Sequence, residues 1–513
     1  MQKKKLTLVI VSLLVVVLSV SLAWFTTQII GKGKDVSVTS TNLQIVFTDT
    51  DGEIAGADIE PGWTAIKTFT VENNSKSEYK YNIVIKDLVN TFVTNGYLQY
   101  KITSTNSGYN MTEFKDIPKS QTATDKVLAY SVAIPAGVTQ TYTIEFTYPN
   151  DEDVDQGDDM GKVLKGTLFI TEGTEEPVLL YNQILSDRGI ATTNRTTFDA
   201  AFDSKDQVLY TAKEDNKIVY YFAGNVTTNW VKFGKNENNQ DLYWRIIRTN
   251  SDGGVRLLYH GTSTTATDAY IGESEFNSSY GDIASVSYMY GSLGSIPNAR
   301  TNQTNPSPIK TTIDNWYTRN LEAKGYTKYL STTAVYCNDR TYIVSGRETY
   351  FGAYTRLNTN KTPSYDCSAT EDKFTVDSSA GNGKLTHPIA LMTADEVSFA
   401  GGLAGKYNAN AWYFRNAKEG TLTTNSSSTD ASYSSTGSTY WWLLSPYYWS
   451  GGGAVVFNVY GSSNPGGLGA YNVNDASGVR PAVSLKSCVK TSGGDGSASN
   501  PYTIEETTST SGC

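Results

Sequence analysis

The N-terminal segment of this chain constrains the cellular location of the protein, and with it the possible fold, more than any other sequence feature. Three lysines lie within residues 1–5, residues 6–25 are almost wholly apolar, and the next charge is Lys32. A run of roughly 20 apolar residues can span the hydrocarbon core of a bilayer, and the lysines before it stay on the cytoplasmic side. We therefore predict that residues 1–30 form a membrane-targeting helix and that the remaining chain is exported.

Two interpretations of this segment stay open. It is either a signal peptide that is removed, with Ser21 and Ala23 as the small residues before the cut, or a retained signal-anchor. The apolar stretch is longer than the usual signal-peptide core, which favours the anchor. Both place the protein outside the cytosol: on the outer face of the cell membrane, or secreted if the segment is removed.

Length and charge narrow the remaining possibilities. The 513 residues predict two to four domains. The net charge of −9 leaves no basic stripe for phosphates, so we predict that nucleic acid is not a partner. Many tyrosines with few charged residues favour short strands and contact-rich loops.

The four cysteines agree with export. Disulfides are typical of oxidising compartments, and the spacing favours two sequential pairs, Cys337 with Cys367 and Cys488 with Cys513. Four cysteines allow three pairings, so the connectivity stays open. We predict no metal site, because no two cysteines are close in sequence and the chain has only two histidines.

Residues 31–173 predict an all-β sandwich with a jelly-roll-like character. Short runs rich in Val, Ile, Thr, Tyr and Phe are separated by turn residues. The predicted strands are 43–47, 66–71, 79–85, 99–103, 141–148 and 164–171. Many short strands at close spacing are typical of such sandwiches.

An acidic loop at 150–159 raises the question of calcium. Asp151, Asp153 and Asp155 alternate as in a calcium-binding loop. Gly157 lies one position late, however, and Lys162 stands where a bidentate glutamate is required. We predict a solvated loop and no cofactor, with calcium as the alternative.

The first third of the chain resembles the camelysin and TasA-type biofilm fibre proteins of Gram-positive bacteria. The similar residues are 22–26 at the end of the export segment, the Glu60-Pro61-Gly62 turn before a Thr/Val strand, and the acidic loop that leads into 166–169. The resemblance implies a structural matrix or fibre subunit that self-assembles.

Residues 174–205 are predicted to be a linker with a short helix, and 206–486 a second domain. Ile313, Trp316, Tyr317 and Leu321 are spaced for one helix face. Thr393-Ala394-Asp395-Glu396 has the sequence of a capping box. Residues 242–248 and 253–259 predict a hairpin with its turn at 251–254, and residues 487–513 a tail closed by a disulfide.

Five motifs in this order carry a second resemblance. They are Trp244-Arg245-Ile246-Ile247-Arg248, Cys337-Asn338-Asp339-Arg340, Leu391 to Glu396, Trp442-Leu443-Leu444-Ser445-Pro446 and Gly478-Val479-Arg480-Pro481. Together they resemble surface proteins of gut Firmicutes whose second half looks like the formylglycine-generating-enzyme type of C-type-lectin fold. The implied fold is α+β, with an irregular antiparallel sheet, two helices and long loops.

No enzymatic role follows from this resemblance. The enzyme of that fold uses paired cysteines with copper, and neither Cys488 nor Cys513 has the matching context. The sequence also has no Ser-His-Asp set, histidine cluster or phosphate loop. We predict that the protein is not an enzyme and has no catalytic residue. Arg480 and Asp339 are predicted to lock the fold through buried hydrogen bonds.

The segment between two of these motifs is the ligand-facing surface that the resemblance implies. Its aromatic, Asn and Gly composition is typical of binding loops. The candidate binding residues are Tyr447, Tyr448, Trp449, Tyr460, Asn464, Tyr471 and Asn474. We predict an adhesin-like surface protein that binds glycan or protein, with the fibre subunit as the alternative. Diversification of this stretch by a retroelement is a weaker hypothesis.

Overall fold

The computed structural model describes residues 35–40, 43–49, 54–55, 59–94, 96–174, 176–420 and 431–507. The chain divides into two compact units, Met1–Glu176 and Pro177–Cys513. The predicted export segment, residues 1–30, lies outside the described residues. Among the helices of the described part, none is both long and apolar enough to cross a membrane.

The first unit consists of two antiparallel sheets that share one hydrophobic core, as in a β-sandwich. Side chains of Thr139–Tyr148 alternate between the core and the outer face, so Tyr142, Ile144 and Phe146 are buried. The larger sheet has the order Asp35–Ser40, Leu43–Asp49, Trp63–Asn73, Thr139–Tyr148, Gln99–Ser104 and Lys115–Asp116. The smaller has the order Ile54–Ala55, Leu164–Glu172, Tyr79–Asn90 and Ser120–Ile134.

The six strands predicted from the sequence are all present, with ends shifted by a few residues. The longest strand, Ser120–Ile134, was missed. Its first half, Ser-Gln-Thr-Ala-Thr-Asp-Lys, is polar and mostly exposed because this strand forms the edge of the smaller sheet. A polar half-strand at an edge has no apolar alternation to reveal it.

Two carboxylates of the acidic loop at 150–159, those of Asp151 and Asp159, accept hydrogen bonds from residues of the sandwich. Asp151 accepts a hydrogen bond of 2.5 Å from the Tyr97 hydroxyl. Asp159 is buried and accepts from the Val93 amide (2.5 Å) and the Tyr148 hydroxyl (2.8 Å). These bonds tie the loop to the sandwich.

The second unit is built mostly from strands, with few helices. One of its sheets has ten strands. Eight of them are neighbours in the order Val178–Leu179, Lys490–Gly493, Tyr502–Ile504, Trp230–Lys235, Asp241–Thr249, Val255–Tyr259, Pro481–Leu485 and Ile389–Leu391. The other two, Tyr210–Glu214 and Lys217–Tyr221, form a hairpin whose second strand pairs with Asp241–Thr249. Its seven-stranded sheet contains, in order, Glu273–Ser274, Ser477–Gly478, Trp441–Trp449, Glu348–Phe351 and Tyr342–Ser345. Ala454–Val459 also pairs with Trp441–Trp449, and Leu468–Asn472 pairs with Ala454–Val459. Two further pairs are Met289–Tyr290 with Asn305–Pro306 and Tyr336–Cys337 with Lys373–Phe374. The helices are Leu180–Arg188, Ile296–Arg300, Pro308–Tyr317, Gly352–Tyr354 and Ala394–Phe399.

Local sequence patterns in the second unit are confirmed. Asp241–Thr249 pairs with Val255–Tyr259 as an antiparallel hairpin. The capping box is complete, because the Thr393 hydroxyl accepts from the Glu396 amide and the Glu396 carboxylate accepts from the Thr393 amide. The helix Pro308–Tyr317 begins after the capping Ser307 and buries the predicted apolar face.

Most of the residues expected to form a linker and a tail, 177–205 and 487–507 among the described ones, lie within the second unit. The helix Leu180–Arg188 buries Leu180 and Ile184 in its core. The preceding strand, Val178–Leu179, pairs with Lys490–Gly493. Tyr502–Ile504 pairs in parallel with Trp230–Lys235. The two ends of this unit are therefore joined in one sheet.

One predicted disulfide is confirmed. Cys337 and Cys367 are bonded, with 5.7 Å between their Cα atoms, and they close a loop of 30 residues. Cys488 is also disulfide-bonded. Cys513, the other cysteine of the second predicted pair, lies outside the described residues.

A buried network of ion pairs joins the helix Ala394–Phe399 to three strands of the ten-stranded sheet, Tyr210–Glu214, Asp241–Thr249 and Val255–Tyr259. Glu396 Oε1 accepts from Arg248 Nε (3.1 Å) and Arg256 Nη1 (2.7 Å), and Arg248 also pairs with Glu214 at 2.7 Å. The side chains of Arg248, Arg256 and Glu396 are at most 3% exposed. Removing one partner from such a group leaves an uncompensated charge in the core.

The pH dependence of stability follows from Glu214. Burial raises the pKa of Glu214, but the charge and hydrogen bond of Arg248, the charge of Arg256 and the hydrogen bond from the Ser251 amide together outweigh burial. They hold the pKa at about 2, against 4.5 for a free side chain. A carboxyl group with a lowered folded pKa contributes stability that is complete above its unfolded pKa and is lost as the pH falls towards its folded pKa. We expect Glu214 to account for a loss of about 3 kcal/mol in unfolding free energy between pH 5 and pH 2.

Urea titrations followed by tryptophan fluorescence at several pH values measure this loss. Glu214→Gln should show a shallower decline in stability over the same pH range. Parallel curves for the two proteins would contradict the assignment.

Candidate functional site

Three consecutive strands carry the predicted binding segment. Trp441–Trp449, Ala454–Val459 and Leu468–Asn472 form an antiparallel meander. Trp441 and Trp442 are fully buried, whereas the side chains after Pro446 are only half-buried. The first strand therefore anchors the sheet at one end and presents side chains to the surface at the other.

A bulge in the first strand changes the direction of its tyrosines. Pro446 pairs with Val456 and Tyr448 with Val455, so Tyr447 is an extra residue opposite a continuous partner strand. Neighbours in a regular strand point to opposite faces. Because of the bulge, Tyr447 and Tyr448 both line the same pocket.

This pocket has a volume of about 550 Å³ and is here called the tyrosine pocket. Its lining is made of four tyrosines, aliphatic and aromatic core residues, and two asparagines, and none of the described lining residues carries a charge. They are Tyr447, Tyr448, Tyr460, Tyr471, Val455, Phe457, Leu468, Ala404, Gly405, Gly469, Ala470, Asn358 and Asn472.

Ring contacts hold the tyrosines in fixed orientations. Tyr447 packs edge-on against Phe457, with 4.7 Å between ring centroids, and against Tyr354 at 4.9 Å. Tyr440 contacts both Tyr460 (5.4 Å) and Tyr471 (5.9 Å). Edge-to-face pairs at these distances are favourable, so the site is organised before any ligand arrives.

Gly469 makes room for one of these rings. A Cβ atom at this position would lie 2.4 Å from Tyr460 Cε1 and 2.5 Å from Asn458 Oδ1. The tyrosine ring therefore rests directly on the glycine backbone. Any larger residue at 469 would displace Tyr460 from the pocket wall.

The hydroxyl groups of Tyr447 and Tyr460 remain protonated at neutral pH. Burial raises the pKa of Tyr447 and of Tyr460. The Tyr447 hydroxyl accepts a hydrogen bond of 3.0 Å from Asn358 Nδ2. Its own proton is left to donate, so each ring offers an apolar face and a polar tip.

Four of the seven predicted residues meet in the pocket and three do not. Tyr447, Tyr448, Tyr460 and Tyr471 line it. Trp449 is half-buried against the core of the second unit. Asn464 is half-buried and Asn474 is exposed, and neither belongs to the lining.

Sequence reasoning missed Asn358 as a polar lining residue and Tyr354 as a support. Asn472, which also lines the pocket, lies in the predicted binding segment but was not among the candidate residues. Asn358 lies 89 residues before the tyrosine that it contacts, and no local pattern connects the two. Tyr350 and Tyr354 are four residues apart with rings 4.5 Å apart, a spacing that could have drawn attention to this segment.

Comparison with known proteins adds one finding. Residues 336–487 match a family model described as Domain of unknown function (DUF6273). The match includes Cys337, Cys367 and every lining residue of the tyrosine pocket. No curated protein and no solved structure matches this chain.

The lining determines what the site can do chemically. Four aromatic faces provide stacking area, and the hydroxyl and amide groups provide hydrogen bonds that fix orientation. In the described part of the chain, no group of three or more His, Cys, Asp or Glu side chains is arranged to hold a metal ion. The pocket is thus suited to an uncharged ligand with both apolar and hydroxyl surfaces.

Proposed function

We propose that this chain is a non-enzymatic bacterial surface-binding protein that holds a neutral saccharide in the tyrosine pocket. The observation that carries the proposal is the convergence of Tyr447, Tyr448, Tyr460 and Tyr471 on one uncharged pocket of about 550 Å³. Sugar rings present apolar C–H faces that stack on tyrosine, and their hydroxyl groups pair with asparagine and tyrosine tips.

The proposed setting is the outer face of a Gram-positive cell. The lysine-led apolar segment at residues 1–30 would serve as membrane anchor or signal peptide. The sandwich, with jelly-roll-like connections, would act as a spacer. The second unit would be a C-type-lectin-like domain, an assignment that rests on the five sequence motifs and the irregular antiparallel sheets.

Glycan-array binding by the full-length chain tests this proposal. Tyr471 is 40% exposed, so Tyr471→Ala should leave the fold intact and weaken binding about tenfold, which is about 1.4 kcal/mol. Tyr471→Phe keeps the ring and should lose less affinity.

Tyr342→Ala is the matched control, because Tyr342 is 44% exposed in the same sheet but does not line the pocket. An equal loss for Tyr342→Ala and Tyr471→Ala would contradict the assignment. Binding of a protein ligand alone, with no glycan retained, would overturn the saccharide part of the proposal.

A structural fibre subunit is the second candidate. Ser120–Ile134 is a 15-residue strand at the edge of the smaller sheet of the first unit. An edge strand offers unpaired main-chain groups to another copy of the chain. This observation, with the resemblance of the first third to biofilm fibre proteins, supports assembly by strand addition.

A further inference from the structure

A second pocket in the second unit has a different chemistry. It has a volume of about 760 Å³ and shares no lining residue with the tyrosine pocket. Its walls come from the start of Trp230–Lys235, the middle of Asp241–Thr249, residues 410 and 415–420, and residues 497–499. A volume in this range suits a ligand of drug or disaccharide size.

Positive charge dominates the lining of this pocket, which is here called the arginine pocket. Lys205, Arg245, Arg415 and Lys418 line it, and Glu419 is the one carboxylate among the described lining residues. The Arg415 guanidinium donates to the carbonyl oxygens of Gly420 (2.6 Å) and Lys418 (3.4 Å). Four cationic side chains therefore face this space, against one carboxylate among the described lining residues.

Arg245 is a buried and hydrogen-bonded part of the wall of this pocket. The residue is only 2% exposed, and its guanidinium lies 4.1 Å from the Trp230 ring centroid. Its hydrogen bonds go to neutral oxygens, those of the Asn229 side chain (2.7 Å), the Val226 carbonyl (2.8 Å) and the Arg415 carbonyl (3.2 Å). Among the described residues no carboxylate forms an ion pair with it.

Three other buried arginines of the same unit have carboxylate partners. Arg248, Arg256 and Arg340 are at most 2% exposed, and each pairs with a glutamate or an aspartate. A buried charge without a partner is costly, so proteins normally supply a counter-ion. Arg245 departs from that pattern at a position that lines a pocket.

A second buried guanidinium adds to the local charge. Arg480 is fully buried and donates to the Tyr259 carbonyl (2.7 Å), to the Tyr413 carbonyl and to His260 Nδ1 (3.0 Å). Burial lowers the pKa of His260 well below its usual value, and the charges of Arg480 and Arg245 lower it further. His260 is therefore neutral and accepts from Arg480, and it contributes no compensating charge.

We propose that the arginine pocket binds a saccharide-sized ligand through an oxyanion group, with Arg245 and Arg415 as its partners. Guanidinium groups pair with carboxylate, sulfate and phosphate oxygens through parallel hydrogen bonds. Trp230 and the side chains of Asn225 and Asn410 supply the remaining contact surface. This site does not depend on the tyrosine pocket, and its ligand is anionic where the other is neutral.

Calorimetric titration of the full-length chain tests the proposal, with inorganic sulfate, inorganic phosphate and glucuronate as probes at constant ionic strength. We expect saturable binding of at least one probe, and the strongest of the three identifies the oxyanion class. The double variant Arg415→Gln/Lys418→Gln should weaken that binding at least tenfold, and Arg245→Lys, which keeps the charge but not the guanidinium, should weaken it as well.

Lys213→Gln/Lys384→Gln is the matched control, since it removes two exposed lysines that do not line the pocket. Full binding by this control and by Tyr471→Ala would support a specific and separate site. No saturable binding of any probe, or equal weakening in both double variants, would overturn the proposal. Thermal unfolding of each variant verifies that it is folded.

Discussion

Replacing Glu396 with glutamine is expected to lower the free energy of unfolding of the second unit by about 3–5 kcal/mol. Glu396 is fully buried and compensates both Arg248 and Arg256, while its second oxygen accepts from the Thr393 amide at 2.9 Å. Glutamine has the same shape but no charge. Two guanidinium groups would then remain in the core with only Glu214 to pair with Arg248.

Denaturant titration followed by tryptophan fluorescence measures this effect. Seven of the nine tryptophans belong to the second unit, so the signal reports mainly on its unfolding. Glu419→Gln, at an exposed carboxylate, is the control and should change stability by no more than about 0.5 kcal/mol. Similar small changes in both variants would show that the network contributes little.

Removing the disulfide should have an effect of comparable size. Cys337→Ala/Cys367→Ala opens a loop of 30 residues, and the chain entropy released in the unfolded state corresponds to about 3–4 kcal/mol. The same denaturant titration applies. Ser368→Ala, at an exposed neighbour, should leave stability unchanged. A double variant as stable as the wild type would indicate that the folded loop is held by its other contacts.

The local structure of this protein could be predicted well because it is recorded in short-range patterns. The alternation in Thr139–Tyr148 and the capping box at Thr393 and Glu396 each depend on residues within a few positions of one another. Side-chain alternation in a strand and capping at a helix start follow from steric and hydrogen-bonding rules alone.

Pairings between distant segments could not be predicted in the same way. Val178–Leu179 joins Lys490–Gly493 across some three hundred residues, and these strands are too short to carry a pattern. Residues 174–205 and 487–513 were therefore interpreted as linker and tail. The strands within them are held by partners that the local sequence does not reveal.

In the candidate site, too, some features could be predicted from the local sequence and others could not. Aromatic composition led to Tyr447, Tyr448, Tyr460 and Tyr471, which the meander brings together. Proximity in sequence also suggested Trp449, but this side chain packs against the core. The bulge that aims Tyr447 and Tyr448 into one pocket depends on a register shift that no composition can predict.

In this sheet Val455 pairs with Asn472, and Val456 pairs with Tyr471. The main chain and the side chains have different roles at these positions. Main-chain hydrogen bonds hold the strands together whatever side chains they carry. The fully buried Trp441 and Trp442 anchor them in the core. Under the proposed function, exchanges at 448, 471 and 472 would consequently alter ligand preference with little penalty in folding. Gly469 is the exception, since Tyr460 occupies its space. A protein with this framework would therefore be able to change the proposed ligand by single substitutions without altering the strands.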